Sequence, residues 1–511
     1  MSEFMWEGGE FQHEGTHGQC PVYPESLYVM DAEFILSSTN KEVLQMEKIK
    51  FGTDGWRGVI AQDYTFDNVS RVALATARFY KKHKKAKNGI MIGYDTRFQS
   101  AEFAERAAQV IANTGLKVTL SDGYCPTPAL SLAIPEFKAA GGVVITASHN
   151  PSRYNGFKLK ADFGGPEEVE YVAKVEREAN KISQKSLGTI KKSFDDLSKK
   201  GMIKKANLRQ IYIDDLKKKI DIESIKRARL RIVHDAMYGA GQGILQQILP
   251  EAVVIHNEFN PSFGGEHPEP IAAHLAELMK FVPNGNYSVG LATDGDADRI
   301  GAVDEHGNFV GPQEIYALLL KYYYETKGLR GEVVKTVSVG EMPDILAKKF
   351  GLKLTELPVG FKHVASVMIS RDVLIGGEES GGVGLKGHIP ERDGLFLGLT
   401  LCEMMVKREK TLGELVKELF NQVGQHVYRR IDVRTTEQYK QKVLGKLKKG
   451  LKEVAGHKID HVLTIDGFKY FFADGGWMLV RASGTEPLIR YYCEAESKEK
   501  VDKILEAITN L

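Results

Sequence analysis

The chain has 511 residues and a net charge of only +2, with 42% hydrophobic and 27% charged residues. This is the balance of a globular protein of three or four domains, and it leaves no general electrostatic case for nucleic-acid binding. No apolar run approaches the roughly 20 residues of a membrane span, and the N-terminus has no basic segment leading into an apolar one.

None of the four cysteines, Cys20, Cys125, Cys402 and Cys493, falls in a CxxC pair, so no zinc site or disulfide framework is indicated. A reducing, cytoplasmic setting is expected. Residues 1–47 are rich in Gly, Glu and His and lack a sustained period. His13, His17 and Cys20 raise the idea of a metal site, but the stretch reads as a flexible or loosely docked extension.

In Phe51-Gly-Thr-Asp-Gly-Trp-Arg-Gly58, glycines flank Trp56-Arg57, so a tight turn can present the arginine. Residues 68–82 have helical periodicity, 90–94 read as a strand, 102–113 as an Ala-rich helix closed by Gly115, 117–120 as a strand and 128–137 as a helix. The alternation indicates an α/β domain. Gly141 to Ile145 is then an apolar run of a buried strand, which breaks into Thr146-Ala-Ser-His-Asn-Pro151. Ser148 therefore sits where ligands gather, outside the carboxyl end of a strand. His149 follows it directly, and Arg153 and Lys158 lie on the continuing loop.

Residues 180–208 are polar, Lys/Ser-rich and suited to a boundary. A second α/β unit begins near Leu230, and its Gly239-Ala-Gly-Gln-Gly243 is not a dinucleotide fingerprint. A helical pattern covers 271–281. A strand from Val289 then delivers Asp294, Asp296 and Asp298 at alternate positions, followed by Arg299. Three carboxylates so close need a hard cation with oxygen ligands. An EF-hand is excluded, because Arg299 stands where glycine is required and the flanks read as strands. Residues 304–308 read as a hairpin turn.

A third α/β unit starts near Pro312, with a helix over 314–326 and strands at 333–337, 353–356 and 373–376. The last strand runs into Gly377-Glu-Glu-Ser-Gly-Gly382, whose carboxylates and hydroxyl suit hydrogen bonds to sugar hydroxyls. The final unit, from about His426, has strands at 427–433, 477–480 and 488–493 and a terminal helix from Lys498. Its Arg481-Ala-Ser-Gly-Thr-Glu-Pro487 offers backbone N–H groups, hydroxyls and a guanidinium fork, a cradle for phosphate.

With these four motifs in this order, residues 48–511 resemble the α-D-phosphohexomutase superfamily, the phosphoglucomutase/phosphomannomutase enzymes. The resemblance implies an α/β fold of four domains around a central cleft, three related α/β domains and a smaller C-terminal α+β domain. The implied boundaries are 48–205 for a phosphoserine domain, 206–310 for metal, 311–424 for sugar and 425–511 for phosphate. Ser148 would be the phosphoserine, and Asp294, Asp296 and Asp298 would hold Mg²⁺ with a phosphate oxygen on Ser148. Glu378 and Ser380 would bind sugar hydroxyls, while Arg481, Ser483, Gly484 and Thr485 would grip the distal phosphate.

By the same resemblance Arg57 and Lys158 lie near the reacting phosphate, with Lys158 as general base, His149 as a second candidate and Arg299 neutralising phosphoryl charge. A histidine that many mannose and glucosamine members carry is here Gly382, and His388 is the expected substitute. The implied reaction interconverts hexose 1- and 6-phosphates, glucose favoured and mannose second, through a hexose 1,6-bisphosphate that also serves as activator. A hexose 1,6-bisphosphate synthase and a non-catalytic sugar-phosphate-binding protein are the alternatives. Expected partners are small sugar phosphates, with no nucleic acid or membrane, in a monomer or small homo-oligomer.

Overall fold

The computed structural model describes residues 48–52, 55–483 and 488–510, so the expectations for His13, His17, Cys20 and the N-terminal extension lie outside the described residues. Within them the chain forms four sheets. The first has strands β1 (Phe51–Gly52), β2 (Gly55–Val59), β3 (Ile90–Tyr94), β4 (Val118–Ser121), β5 (Gly142–Ile145), β6 (Tyr154–Lys160) and β7 (Ile203–Ala206), in the order β1-β2-β6-β5-β3-β4-β7. The second has β8 (Ile232–Asp235), β9 (Val253–Ile255), β10 (Val289–Thr293), β11 (Ile300–Val303) and β12 (Phe309–Val310), ordered β12-β11-β10-β8-β9. The third has β13 (Glu332–Thr336), β14 (Leu354–Leu357), β15 (Val373–Gly377) and β16 (Val383–Leu385), ordered β14-β13-β15-β16.

These three sheets repeat one device. Parallel strands form the centre, and the strand that carries the motif turns back into an antiparallel neighbour: β5 into β6, β10 into β11, β15 into β16. Each motif is thus the connection of a hairpin-like pair at a strand's carboxyl end. β6 is a departure from the sequence reading, which continued the loop through Lys158. Its alternation is masked because β6 is buried along nearly its whole length.

The fourth sheet is antiparallel throughout: β17 (Val427–Arg434), β18 (Glu453–Val454), β19 (His457–Leu463), β20 (Phe468–Phe472), β21 (Trp477–Ala482) and β22 (Leu488–Ala495), ordered β17-β22-β21-β20-β19-β18. Its motif joins β21 to β22, and helix Lys498–Thr509 covers one face with Val501, Ile504, Leu505 and Ile508.

Local chemistry accounts for the helices. Thr65 caps Phe66–Tyr80 by accepting from Asn68 N, and Thr411 and Glu414 form a reciprocal capping box on Leu412–Val423. Helix Gly394–Arg408 was not legible in the sequence, because it is buried on nearly every side and shows no amphipathic stripe. Its Gly398 packs against Leu291 and Ile300 of the second sheet. The polar stretch 180–208 also holds more structure than expected: helices Gln184–Leu187 and Phe194–Lys199, capped by Ser183 and Ser193, and edge strand β7.

One apolar cluster runs through the first three sheets, with Met91 and Val144, Ile232 and Leu291, and Val333 and Ile375 as members. The fourth has its own core around Tyr470, Met478, Val480 and Ile489. It meets the third through Trp477, Leu479 and Tyr492 packed on Val337, and through buried charges. Lys469 Nζ lies 2.8 Å from Glu356 and over the Trp477 ring, with Lys335 close by. Among the described residues no helix is long and apolar enough to cross a membrane.

Burial, then repulsion from Lys335, outweighs Glu356 and lowers Lys469 to about 8. Below pH 8 both folded and unfolded chains keep this proton and the full burial cost applies. Between about 8 and 10.5 the unfolded chain alone holds it, so stability rises with pH there, by at most about 3 kcal/mol. Thermal unfolding of wild type and Lys469→Met at pH 7.5, 9 and 10 checks this. The difference in midpoint should move toward the wild type as pH rises, and a constant difference would contradict it.

Candidate active site

The four motif loops do not contribute equally to what converges. Ser148 has φ +55°, left-handed for a non-glycine residue, a conformation that costs on the order of 1–3 kcal/mol and persists only when its surroundings enforce it. Its Oγ donates to Asp294 Oδ2 at 2.8 Å, and the residue is 1% exposed. The hairpin between β10 and β11 places Asp294, Asp296 and Asp298 so that one carboxylate oxygen of each lies within 4.8 Å of the others, and all three are fully buried. Asp294 Oδ1 accepts from the backbone N–H groups of Asp298 and Arg299, which ties the loop on itself.

Charge balance is unequal across the cluster. Burial, then Asp298 and Asp296, push Asp294 well above the ordinary carboxyl range. Burial acts the same way on Asp296, but Lys158, the Thr127 hydroxyl and Arg392 pull it below that range. Lys158 Nζ lies 2.9 Å from Asp296 and 3.4 Å from Asp298, Thr127 Oγ1 donates to Asp296 at 2.6 Å, and Arg392 Nη2 lies 2.7 Å from Asp298. Asp296 Oδ1 and Asp298 Oδ1 are nonetheless buried with no hydrogen-bond partner. Two orphaned carboxylate oxygens beside a third carboxylate fit a hard divalent cation, for which oxygen donors of this kind are the natural ligands.

The expected neighbours are distributed as follows. Arg57 Nη1 donates to Asn150 Oδ1 at 2.7 Å, on the serine loop. His149 Nδ1 lies 3.4 Å from Ser148 Oγ, and burial followed by the charges of Arg299, Arg57, Arg430 and Lys158 holds its pKa well below the usual imidazole value. Those cations come from three of the four sheets, so the cleft concentrates positive charge around the serine. Arg299 is held by Glu269 at 3.1 Å.

In the sugar-loop motif, Glu378 Oε1 accepts from Gly360 N at 2.9 Å and Oε2 lies 3.5 Å from Arg392. Ser380 is half-buried two residues further along. In the fourth sheet Arg481 Nε donates to Asp466 Oδ2 at 2.8 Å, and the same oxygen accepts from Val359 N of the third region. Ser483 N donates to Leu488 O. Gly484 and Thr485 lie outside the described residues.

One expectation needs correction. His388 does not supply an imidazole to this site. Its ring is 1% exposed, pairs with Asp393 at 2.8 Å and Lys219 at 3.0 Å, and stacks on Phe396. The Gly382 position is answered by a different residue: a Cβ built on Gly382 would come within 2.2 Å of Arg392 Cδ. The Arg392 guanidinium spans Asp298 and Glu378 from there. Lys158, expected as general base, has its Nζ within ion-pair distance of both Asp296 and Asp298, where its charge offsets theirs.

Sequence reasoning missed Arg392, Thr127 and Arg430. Arg430 pairs bidentately with Asp432 at 2.7 Å and approaches Glu379 at 4.0 Å. Arg392-Asp-Gly394 did carry a signal, since Asp393 is a helix cap, accepting from Phe396 N before an apolar run. Thr127 had none, because only the tertiary fold brings it to Asp296.

Four family descriptions match successive parts of the chain: phosphoglucomutase/phosphomannomutase α/β/α domain I at 48–186, domain II at 210–307, domain III at 311–423 and the C-terminal domain at 431–511. The chain is 33% identical over 460 residues to a phosphoglucomutase/phosphomannomutase of Thermococcus kodakarensis, covering 89% of this chain and 96% of that one. It is 34% identical over 467 residues to a Methanosphaera stadtmanae protein carrying the name phosphoglucosamine mutase, covering 90% and 97%. A crystal structure from Thermus thermophilus that carries the name phosphomannomutase superposes with a TM-score of 0.79 at 34% identity, covering 91% and 99%.

Two outcomes follow from the geometry. If the triad holds a divalent cation, Asp298→Asn should weaken its binding about tenfold or more by calorimetry with Mg²⁺ as the probe, since a charged ligand is lost. An unchanged affinity would remove Asp298 from the cation site. Gly382→Ala should drive Arg392 off Glu378 and Asp298. One charge-assisted contact corresponds to roughly tenfold to hundredfold in affinity, so sugar-phosphate binding should weaken by about that factor, and the thermal midpoint should fall because Asp298 and Glu378 lose a buried partner.

Proposed function

The chain belongs to the phosphoglucomutase/phosphomannomutase family, and on that premise we propose that it interconverts glucose 1-phosphate and glucose 6-phosphate, with mannose phosphates as second substrates. The enzyme class is a phosphotransferase-type isomerase. The observation that carries the reading is the Ser148 hydroxyl held 2.8 Å from Asp294 inside a buried triad of aspartates. Phosphoryl transfer depends on positioning and on neutralising oxygens as charge redistributes.

In this reading Ser148 carries a phosphoryl group. The acceptor O6 of a hexose 1-phosphate attacks the phosphorus, the P–O bond to Ser148 breaks, and the hexose 1,6-bisphosphate forms. The same chemistry runs back with the C1 phosphate, so Ser148 is rephosphorylated and hexose 6-phosphate leaves. Asp294, Asp296 and Asp298 would hold Mg²⁺, which supplies Lewis-acid neutralisation of phosphoryl oxygens. Lys158, Arg299 and Arg57 contribute fixed positive charge beside the serine. His149 Nδ1 is 3.4 Å from Ser148 Oγ and is the group we assign to receive the O6 proton and pass it to Ser148 Oγ as the P–O bond breaks. In the second half-reaction it takes that proton from Ser148 Oγ and gives it to the departing sugar oxygen.

Glu378 and Ser380 bind sugar hydroxyls, with Arg392 between Glu378 and the aspartates. Arg481, Ser483, Gly484 and Thr485 hold the phosphate that is not reacting. Glucose is favoured because the Glu378-Glu379-Ser380 form lacks the imidazole of the Gly382 position, and His388 does not replace it. A catalytic trace of glucose 1,6-bisphosphate would load an unphosphorylated Ser148.

A ³¹P NMR time course with Mg²⁺, glucose 1-phosphate and trace glucose 1,6-bisphosphate tests the reading, repeated with mannose and glucosamine 1-phosphates. Glucose 6-phosphate should accumulate fastest, require the bisphosphate or a phosphorylated Ser148, and vanish with Ser148→Ala or EDTA. Bisphosphate accumulating without isomerisation would make the protein a synthase. Binding without reaction would leave it a sugar-phosphate-binding protein.

A further inference from the structure

We propose that Arg97 is the positioning residue of the nucleophile loop, fixing Ser148 in register with the aspartates without touching the reacting atoms. Arg97 follows β3 in Asp95-Thr96-Arg97 and is 1% exposed. Its Nη2 donates to Ser148 O at 2.5 Å and Asn150 O at 2.6 Å, its Nη1 to Pro151 O at 2.8 Å and Tyr154 O at 3.0 Å, and its Nε to Asp95 Oδ2 at 3.1 Å. The five donors of the planar fork meet five acceptors, four of them carbonyls of one loop.

The same network holds the other side of the serine. Asp95 Oδ2 also accepts from Thr146 Oγ1 at 2.6 Å, and Thr146 Oγ1 accepts from Ser148 N at 2.8 Å. Ser148 is therefore gripped at both its N–H and its carbonyl. That grip explains how a serine stays at φ +55° and why its Oγ points toward Asp294 and not into the strand. The Ser148 carbonyl in turn abuts the metal loop: a Cβ on Gly295 would fall 2.6 Å from it. Phe263 closes the arrangement, with the Arg97 guanidinium 4.8 Å above its ring and its Cζ beside the same Gly295 position.

Arg97 thus holds the loop that carries the nucleophile, and the Ser148 carbonyl of that loop in turn meets the loop that carries the aspartates. Lysine would keep the charge but, with three donors on a point charge, could not meet four carbonyls and Asp95 at once. The assignment rests on the proposed mutase reading only for its kinetic consequence.

Arg97→Lys and Arg97→Met test it against wild type by two readouts. The first is transfer of phosphate from glucose 1,6-bisphosphate to Ser148, followed by rapid quench and intact mass, with KM measured alongside. Both variants should lose about 100-fold in transfer rate, as expected for a nucleophile displaced by about 1 Å, with KM within about threefold. The second is hydrogen–deuterium exchange, which should accelerate over residues 146–156 and stay at wild-type levels in the fourth sheet. Wild-type transfer rates in Arg97→Lys, or a rise in KM with the rate unchanged, overturn the proposal, as does unchanged exchange over the loop. If Arg97→Met does not fold, Arg97→Lys decides. A wild type that transfers nothing overturns the mutase reading alone, and the exchange experiment still judges Arg97.

Discussion

Three carboxylates buried within 4.8 Å of one another are the constraint around which the rest of the structure is arranged. Left in a low-dielectric interior they repel, and each also loses its hydration. The chain answers from several directions. Lys158 on the first sheet and Arg392 ahead of helix Gly394–Arg408 bring positive charge, Thr127 brings a hydroxyl, and the loop backbone donates to Asp294. Two oxygens stay unsatisfied, which is what distinguishes a site for a cation from a structural ion-pair cluster. The sheets cohere around this point because the residues that neutralise it belong to different ones.

The repeated hairpin at each motif explains how one cleft is assembled from units far apart in sequence. A parallel strand leaves its carboxyl end pointing at the cleft, and an antiparallel return strand brings the chain straight back. The loop is short, so its polar groups are fixed by two strands and do not wander. β6 shows the benefit. Val144 pairs with Lys158 in the ladder, so the register that holds the serine loop also delivers the ammonium to Asp296.

Much of this was legible in the sequence, and the limits are instructive. Strands ending abruptly in small polar residues marked Ser148, the aspartates, Glu378 and Arg481, because local chemistry alone places such residues at a strand end. Helix Phe66–Tyr80 announced itself by its period, and the structure adds the Thr65 cap. What failed was anything set by long-range packing. Helix Gly394–Arg408 has no polar face to give a period, and β6 is too uniformly buried to alternate. His388 looked available because its partners, Asp393 and Lys219, arrive from five residues ahead and 169 residues before it. Arg392 was overlooked because nothing local shows that glycine at 382 leaves it room.

The pairing of Arg481 with Asp466 gives the fourth sheet a particular kind of grip. The guanidinium already has an anion of its own, and that same carboxylate is tied to the backbone of Val359. On the proposed reading, a phosphate would meet an arginine whose orientation is already fixed through Nε by Asp466 and, through that carboxylate, by the backbone of Val359. Less side-chain freedom would then be lost on binding, while the resident carboxylate would hold down the gain from a second anion on the same guanidinium.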